Sequence, residues 1–67
     1  MLTIHLNGES RQVPPGTNVA QLVAAMPLAG KRFAVERNGE IVPKSRLDAV
    51  TLNDSDRVEI VIAVGGG

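Results

Sequence analysis

The sequence has no cysteine, tryptophan or tyrosine, and its 67 residues include a single phenylalanine, Phe33. Without cysteine there is no disulfide framework, no thiolate nucleophile and no Cys-ligated zinc or iron–sulfur cluster. With one aromatic residue, the core must be built from Val, Ile, Leu, Ala and Met. A domain of this size buries only about 60% of the surface that its unfolded chain exposes, so a deep, enclosed active site is not expected.

Charge of one sign and long apolar runs are also lacking. Seven Lys and Arg side chains balance seven Asp and Glu side chains, and no basic run could follow a phosphate backbone, so nucleic acid is not an expected partner. The longest apolar run, residues 60–64, is far shorter than the ~20 residues that span a bilayer. The first residues lack the cationic start and apolar segment of a signal peptide. We therefore expect no membrane partner and a cytoplasmic location.

Alternation of polar and apolar residues predicts a sheet built around two hairpins. Asn7-Gly8 and Asn38-Gly39 both tolerate the positive φ angles of a type I′ turn, so each should join two antiparallel strands. In the first hairpin Val13 should lie on the core face, opposite Leu2. Arg11 should lie on the same face, opposite Ile4, and an inward charge of this kind is tolerated on an edge strand. The predicted strands are residues 2–6, 9–13, 33–37, 40–42 and 57–64, with a further short strand at 49–52.

One amphipathic helix is predicted after the breaker Pro14-Pro15-Gly16. Asn18 and Gln21 have the spacing of a capping box, with Thr17 as a competing cap. The apolar stripe then recurs at helical spacing until Pro27 ends it, at Val19, Leu22, Val23 and Met26. A helix this short is unstable alone and must pack on the sheet. Residues 44–47 are expected to form a single helical turn or a loop.

The order hairpin, helix, strands, together with the apolar character of both terminal strands, predicts an α+β fold. Both terminal strands should lie at the centre of one mixed sheet, paired in parallel by a right-handed crossover through the helix. This is a β-grasp, with a sheet of about four to five strands packed on one main helix. Residues 1–64 are expected to form the domain, and residues 65–67 a flexible glycine tail.

No catalytic constellation is expected within the chain itself. His5 alternates with core positions and should face solvent, far from any partner that would make it a nucleophile's base or a metal ligand. Asp54 and Asp56 lie in a polar turn and are interpreted as turn residues, because calcium needs more oxygen ligands. Gly16 lacks the surrounding motif of a phosphate loop and is interpreted as a turn residue. We expect no metal site and no bound cofactor.

The glycine tail, Gly65, Gly66 and Gly67, is the feature that points to chemistry. An extended tail of three residues at ~3.3 Å each could reach about 10 Å into a narrow channel, and glycine is slim enough to enter one. The alternative is a frayed end. A terminal carboxylate is an anion at neutral pH and a poor acyl electrophile, so it must first be activated. An acyl-phosphate or acyl-adenylate made with ATP could be attacked by sulfur or by an amine.

The chain resembles the ThiS family of thiamin-biosynthesis sulfur carriers, which are ubiquitin-like β-grasp proteins ending in Gly-Gly. The resemblance covers nearly the whole length and rests on Leu6-Asn7-Gly8-Glu9, on residues 34–43 (AVERNGEIVP), on residues 56–61 (DRVEIV) and on Ala63-Val64-Gly65-Gly66-Gly67. The sequence departs from the family at Ser55, where an Asp-Gly-Asp turn is common. That difference bears on the turn and not on the tail.

The resemblance implies a carrier acted on by partner enzymes, and not an enzyme. The Gly67 carboxylate would be adenylated by an E1-like adenylyltransferase using Mg-ATP, and a persulfide-bearing sulfur donor would convert it to a thiocarboxylate. Thiazole synthase would then receive the sulfur for the thiazole of thiamin. Gly66 and Gly67 are the positions that carry this role, whereas Gly65 varies in the family.

The residues of the last strand suggest a docking surface. Val61 and Ala63 should point away from the helix, leaving apolar area for a partner unless neighbouring strands cover it. Three other functions remain open: the small subunit of molybdopterin synthase, a ubiquitin-like modifier that forms isopeptide bonds, and a binding module with inert glycines.

Overall fold

The computed structural model describes residues 1–28 and 30–63. Its strands form one five-stranded mixed sheet in the order β2-β1-β5-β3-β4. The elements are β1 (Leu2–Leu6), β2 (Glu9–Val13), α1 (Val19–Ala24), β3 (Phe33–Arg37), β4 (Glu40–Val42), a 3-10 turn (Lys44–Arg46) and β5 (Arg57–Ile62). β1 and β5 lie side by side in parallel, so the predicted β-grasp topology is confirmed. The predicted domain boundary at residue 64 and the predicted glycine tail at residues 65–67 lie outside the described residues.

Both Asn-Gly turns form as predicted. Asn7 and Gly8 have φ values of 50° and 83°, and Asn38 and Gly39 have 52° and 85°, which is the type I′ pattern. The first hairpin pairs Leu2 with Val13 and Ile4 with Arg11, and β2 is an edge strand. The two-residue turns match the observed register of both hairpins, together with the apolar pattern that places Val13 and Val42 in the core.

The capping box at the start of α1 is confirmed. The Asn18 Oδ1 accepts the Gln21 amide at 2.8 Å, and the Gln21 Oε1 accepts the Asn18 amide at 2.9 Å. The helix ends at Ala24, so the expectation that it includes Met26 is wrong. The Met26 amide instead donates to the Val23 carbonyl, three residues back, at 3.0 Å. Pro27 favours this early end, because it disfavours helical backbone at the residue before it.

Residues 49–52 do not form the predicted strand. They make a single isolated bridge, Thr51 to Asn18, within the described residues. The segment instead hydrogen-bonds the chain that enters α1: the Val50 carbonyl accepts the Val19 amide at 3.0 Å, and the Leu52 amide donates to the Thr17 carbonyl at 2.9 Å. Its backbone groups are therefore used to hold the start of the helix. The predicted single helical turn at 44–47 is confirmed as the 3-10 turn.

The core lies between α1 and one face of the sheet and is aliphatic, as expected. Ile4, Val19, Val35, Leu52 and Val58 are its most deeply buried large side chains. β5 follows the predicted alternation at Val58 and Ile60 but ends at Ile62, two residues earlier than predicted, and Val64 lies outside the described residues. One face of the sheet is thus packed on α1; we call the opposite face the outer face.

The turn before β5 is held by a buried carboxylate. Asp56 is 5% exposed, and its Oδ2 accepts Arg37 Nε at 2.8 Å and the Asn53 amide at 2.8 Å, while its Oδ1 accepts Asn38 Nδ2 at 3.0 Å. Burial by itself would raise the pKa of Asp56, but these hydrogen bonds and the Arg37 charge outweigh it and lower the pKa. Asp56 therefore ties the turn to the β3–β4 hairpin, a role beyond the turn chemistry inferred from its sequence position.

Ser55 occupies a backbone conformation that favours glycine. Its φ is +70°, and its amide donates to the Thr3 carbonyl at 2.7 Å. A residue with a Cβ is strained in this region, whereas glycine is not. The turn keeps its form despite the serine.

Ser55→Gly should therefore raise the free energy of unfolding by about 0.5–1 kcal/mol, the relief of strain being partly offset by the greater freedom of glycine in the unfolded chain. Urea denaturation followed by circular dichroism measures it. Ser45→Gly, at an exposed position of ordinary φ in the 3-10 turn, is the control and should not stabilise the protein. An unchanged or lower stability of Ser55→Gly would contradict the strain argument.

Asp56→Asn should lower the free energy of unfolding at pH 7 by about 2 kcal/mol, because it removes the charge that Arg37 and two amide donors bind. Asp48→Asn, at an exposed position, is the matched control and should change stability by less than about 0.5 kcal/mol.

Protonation of Asp56 should also destabilise the native protein in acid. Its folded-state pKa is lowered from the ordinary value of 3.8, so this contribution is fully present above that value and is lost as the pH falls through the folded-state pKa. Urea midpoints measured from pH 7 to pH 2 should fall less steeply below about pH 4 in Asp56→Asn than in the parent. Parallel curves for the two proteins would contradict the assignment.

Candidate functional site

The outer face carries an apolar patch made by three strands. Val61 of β5 pairs directly with Ala34 of β3, and Ile41 of β4 pairs with Glu36, two residues further along β3 on the same face. Val61 is 56% exposed and Ile41 is 70% exposed. We call Ala34, Ile41 and Val61 the outer patch. Contiguous apolar surface of this kind is typical of interaction sites.

The outer patch includes one of the two predicted docking residues. Val61 faces away from α1 as expected, and the neighbouring strands leave it exposed. Ala63 is exposed and follows β5, with its amide donating to the Arg32 carbonyl at 2.9 Å. Ala34 and Ile41 were missed from the sequence. The alternation of residues around Asn38-Gly39 was the available signal, because Ile41 precedes the core-facing Val42 and must therefore point to the other face of the sheet.

Two carboxylates border the outer patch. Glu36 and Glu59 are directly opposite each other on β3 and β5. Among the described residues the ion pair found is Arg37 with Asp56, so neither glutamate is neutralised by a salt bridge within residues 1–28 and 30–63. Like charges directly opposite on a sheet repel each other. The outer face therefore combines an apolar region with a charged region, in which Arg57 lies in one cleft with Glu36 and Glu59.

The strand that leads toward the glycines is held by both hairpin turns. The Asn7 Oδ1 accepts the Ile60 amide at 2.8 Å, and the Asn38 Oδ1 accepts the Arg57 amide at 2.9 Å. Asp56 fixes the turn immediately before it. Side-chain hydrogen bonds from both hairpin turns and from Asp56 therefore fix the position of β5, the strand that precedes Ala63. The predicted tail residues Gly65, Gly66 and Gly67 lie outside the described residues.

The remaining candidate residues occupy surface or turn positions. His5 is exposed on the outer face, as predicted. Asp54 is exposed, and its Oδ1 accepts the Thr3 amide at 2.8 Å, while Gly16 has a φ of +91° in its turn. Within residues 1–28 and 30–63, no three His, Asp or Glu side chains come together in a way that could hold a metal ion. In the same residues, no helix is long and apolar enough to cross a membrane.

This geometry offers surface and no catalytic machinery in the part of the chain that the structure describes. Its functional elements are the outer patch, the acidic pair Glu36 and Glu59, and the anchored strand β5. Such an arrangement can present a chain segment to another protein's active site.

The chain is similar to a sulfur carrier protein over nearly its full length and to part of a thiazole synthase. It is 43% identical to the sulfur carrier protein ThiS of Bacillus subtilis, over 96% of this chain and 98% of that protein. It is also 44% identical over 62 residues to a thiazole synthase of Paramagnetospirillum magneticum, covering 92% of this chain and 19% of that protein. The chain therefore spans about a fifth of the length of this thiazole synthase and nearly the full length of the Bacillus carrier.

The fold leads to the same proteins. The crystal structure of a thiamine biosynthesis protein, ThiS, from Geobacter metallireducens superposes with a TM-score of 0.82 at 33% identity, covering 98% of this chain and all of that one. A model of the ThiS family matches residues 4–67. The sequence, the β-grasp topology and the family match agree, and the chain belongs to the ThiS family.

Proposed function

We propose that this chain is a sulfur carrier of thiamin biosynthesis, a protein on which other enzymes act. The observation that carries the proposal is the similarity to the Bacillus sulfur carrier along nearly the full length of both chains. The structure supports it in two ways. The described residues provide a docking face without assembled catalytic groups, and β5 is anchored at the point from which the chain continues toward Gly67.

The chemistry would take place at the carboxylate of Gly67, in an adenylyltransferase and not in this chain. A carboxylate oxygen attacks the α-phosphorus of Mg-ATP, and pyrophosphate leaves. The terminal sulfur of a persulfide donor then attacks the acyl carbon, and AMP leaves. A thiol cleaves the resulting sulfur–sulfur bond, which leaves the thiocarboxylate on Gly67 and a disulfide on the donor side. Because activation consumes ATP, we place these steps in the cytoplasm.

Thiazole synthase is the acceptor that we propose. Its support is the relative in which a segment similar to this whole chain forms about a fifth of a thiazole synthase. Joining a carrier and its acceptor in one polypeptide raises their effective concentration, which has value when the two must meet. Transfer of the sulfur would return Gly67 to a free carboxylate for another cycle.

The outer patch is the surface that we propose for docking on the E1-like adenylyltransferase. Val61 and Ile41 supply exposed aliphatic area, and Ala63 extends it toward the glycines. Removal of such apolar side chains from water favours association. Docking through this face would bring residues that follow Ala63 toward the enzyme's active site.

The direct test is the intact mass of the protein after incubation with its adenylyltransferase, Mg-ATP and a persulfide donor. We expect a gain equal to the exchange of one oxygen for one sulfur. A variant lacking Gly67 is the control and should show no gain, because the reactive carboxylate is then displaced.

Absence of the gain with demonstrably active partners would overturn the proposal. Amide linkage of the chain to lysines of other proteins would instead favour a ubiquitin-like modifier. Sulfur transfer to a molybdopterin precursor and not to thiazole synthase would favour the small subunit of molybdopterin synthase.

Val61→Asp should weaken binding to the adenylyltransferase by at least tenfold while the domain stays folded, because it places a charge in the apolar contact. Isothermal titration measures the affinity, and circular dichroism measures the fold. Gln12→Asp adds the same charge to an exposed outer-face position on the edge strand β2 and is the matched control. Equal affinities of the two variants would remove the outer patch from the interface.

A further inference from the structure

The second half of β5 extends beyond the strand that pairs with it on one side. β3 pairs with β5 from Arg37 opposite Val58 through Phe33 opposite Ile62. β1 pairs with β5 at two positions, His5 with Arg57 and Leu6 with Val58, and then turns away at Asn7-Gly8. Beyond Val58, the β1 side of β5 is therefore an open sheet edge within the described residues.

The hydrogen-bond pattern shows which backbone groups face this edge. The Ala63 amide donates to Arg32 and the Asn38 amide donates to Arg57, so odd-numbered residues of this segment direct their backbone groups toward β3. In an antiparallel pair the residues between them point the other way. The amides and carbonyls of Ile60 and Ile62 consequently face the β1 side.

Asn7 satisfies one of these groups and leaves the others to solvent. Its Oδ1 accepts the Ile60 amide, taking the place of a backbone carbonyl that β1 no longer supplies. The Ile60 carbonyl, the Ile62 amide and the Ile62 carbonyl come next along the same side. No hydrogen bond from residues 1–28 or 30–63 reaches these three groups. These three groups, one donor and two acceptors, lie in a row that fits the backbone of an added strand.

The side chains at this place are also uncovered. Val61 is 56% exposed on the outer face, and Ile62 is 39% exposed on the α1 face. A strand added here would thus place apolar contacts on both of its faces. Strands buried on both faces are typically continuous apolar runs and not alternating ones.

The two outer edges of the sheet differ from this one. β2 directs Arg11 inward and is polar along Glu9 to Gln12, and β4 has three residues and is followed by Pro43. Charge, short length and proline are devices that prevent edge pairing. The open segment Ile60–Ile62 is also short, but it carries neither charge nor proline: its three residues are aliphatic.

We propose that the open edge of β5 at residues 60–62 receives an extended, apolar segment of thiazole synthase as an added strand. The backbone groups of Ile60 and Ile62 would bind that segment, with Val61 and Ile62 packing against it. This inference rests on the proposed function, because the choice of thiazole synthase as occupant comes from the relative that combines the two in one chain. The adenylyltransferase and a second copy of this chain are the other occupants that the test must distinguish.

Amide hydrogen exchange at single-residue resolution tests the proposal. The 15N-labelled full chain is exchanged alone, with excess thiazole synthase and with excess adenylyltransferase, then quenched and measured by NMR. We expect the Ile62 amide to exchange at least tenfold more slowly with the synthase than alone. The Ala63 amide, which already donates to Arg32, is the internal control and should change little.

Each other result overturns the proposal. Unchanged exchange of Ile62 in a complex that size-exclusion chromatography shows to be formed would exclude the added strand, and failure to form a complex would exclude the synthase as occupant. Protection by the adenylyltransferase alone, or protection that rises with the concentration of the chain by itself, would assign the edge to those occupants. The intact-mass experiment is independent of these results, so the carrier function can stand when the added strand fails.

A backbone variant provides a second measurement that leaves every side chain in place. The chain is short enough for chemical synthesis with the Ile62 amide replaced by an ester, which removes one hydrogen-bond donor. We expect the affinity for thiazole synthase to fall about fivefold. An ester at Gln12, whose amide faces solvent on the outer edge of β2 by the same alternation, is the matched control. Equal affinity of both esters would contradict the proposal.

Discussion

The rest of the structure depends on the placement of β5 at the centre of the sheet. This strand is the last of the described strands in the sequence, and it lies between β1 and β3 in the sheet. Asp56 fixes its entry, because the carboxylate binds Arg37 and Asn38 of the β3 hairpin at the same time as the Asn53 amide. One buried charge thereby joins the end of a loop to the edge of a hairpin. The three donors favour the ionised carboxylate over its protonated form, in agreement with the lowered pKa.

A sheet covered on one face by one short helix leaves its other face to solvent. Within residues 1–28 and 30–63 no further element covers that face, and the outer patch and the acidic pair both lie there. The same economy limits catalysis, because a domain this small has little interior in which to exclude water from a reaction. A domain with these limits can supply a rigid strand and an exposed surface to other proteins.

Local chemistry explains which parts of the fold could be predicted. Asn7-Gly8 and Asn38-Gly39 determine their turns within two residues each, and the Asn18 capping box determines the start of α1, so these were correct to the residue. The prediction of a strand at residues 49–52 was wrong, because the hydrogen-bond partners of this segment are the residues entering α1, about thirty positions away in the sequence. The role of Asp56 depends in the same way on Arg37, and no local pattern distinguishes a buried turn aspartate from an exposed one.

In the candidate site, too, features that depend on one strand could be predicted, and features that depend on several strands could not. Val61 was found from the alternation of one strand, whereas the outer patch needs the register of three strands, and Ile41 was therefore missed. The open edge of β5 is less visible still, since it depends on how far β1 runs before Asn7 turns it away. A strand's own sequence specifies which faces it buries, but its neighbours' lengths specify which backbone groups remain for a partner.

The acidic pair has a physical consequence for a protein with exposed apolar surface and no net charge. Chains without net charge do not repel one another at long range, so the outer patch is a risk for self-association. A symmetric contact between two outer faces would bring Glu36 and Glu59 of both copies into one low-dielectric interface. Repulsion among these carboxylates disfavours any arrangement of two copies that places them against one another, whereas an arrangement that places them near Arg57 of the other copy avoids it.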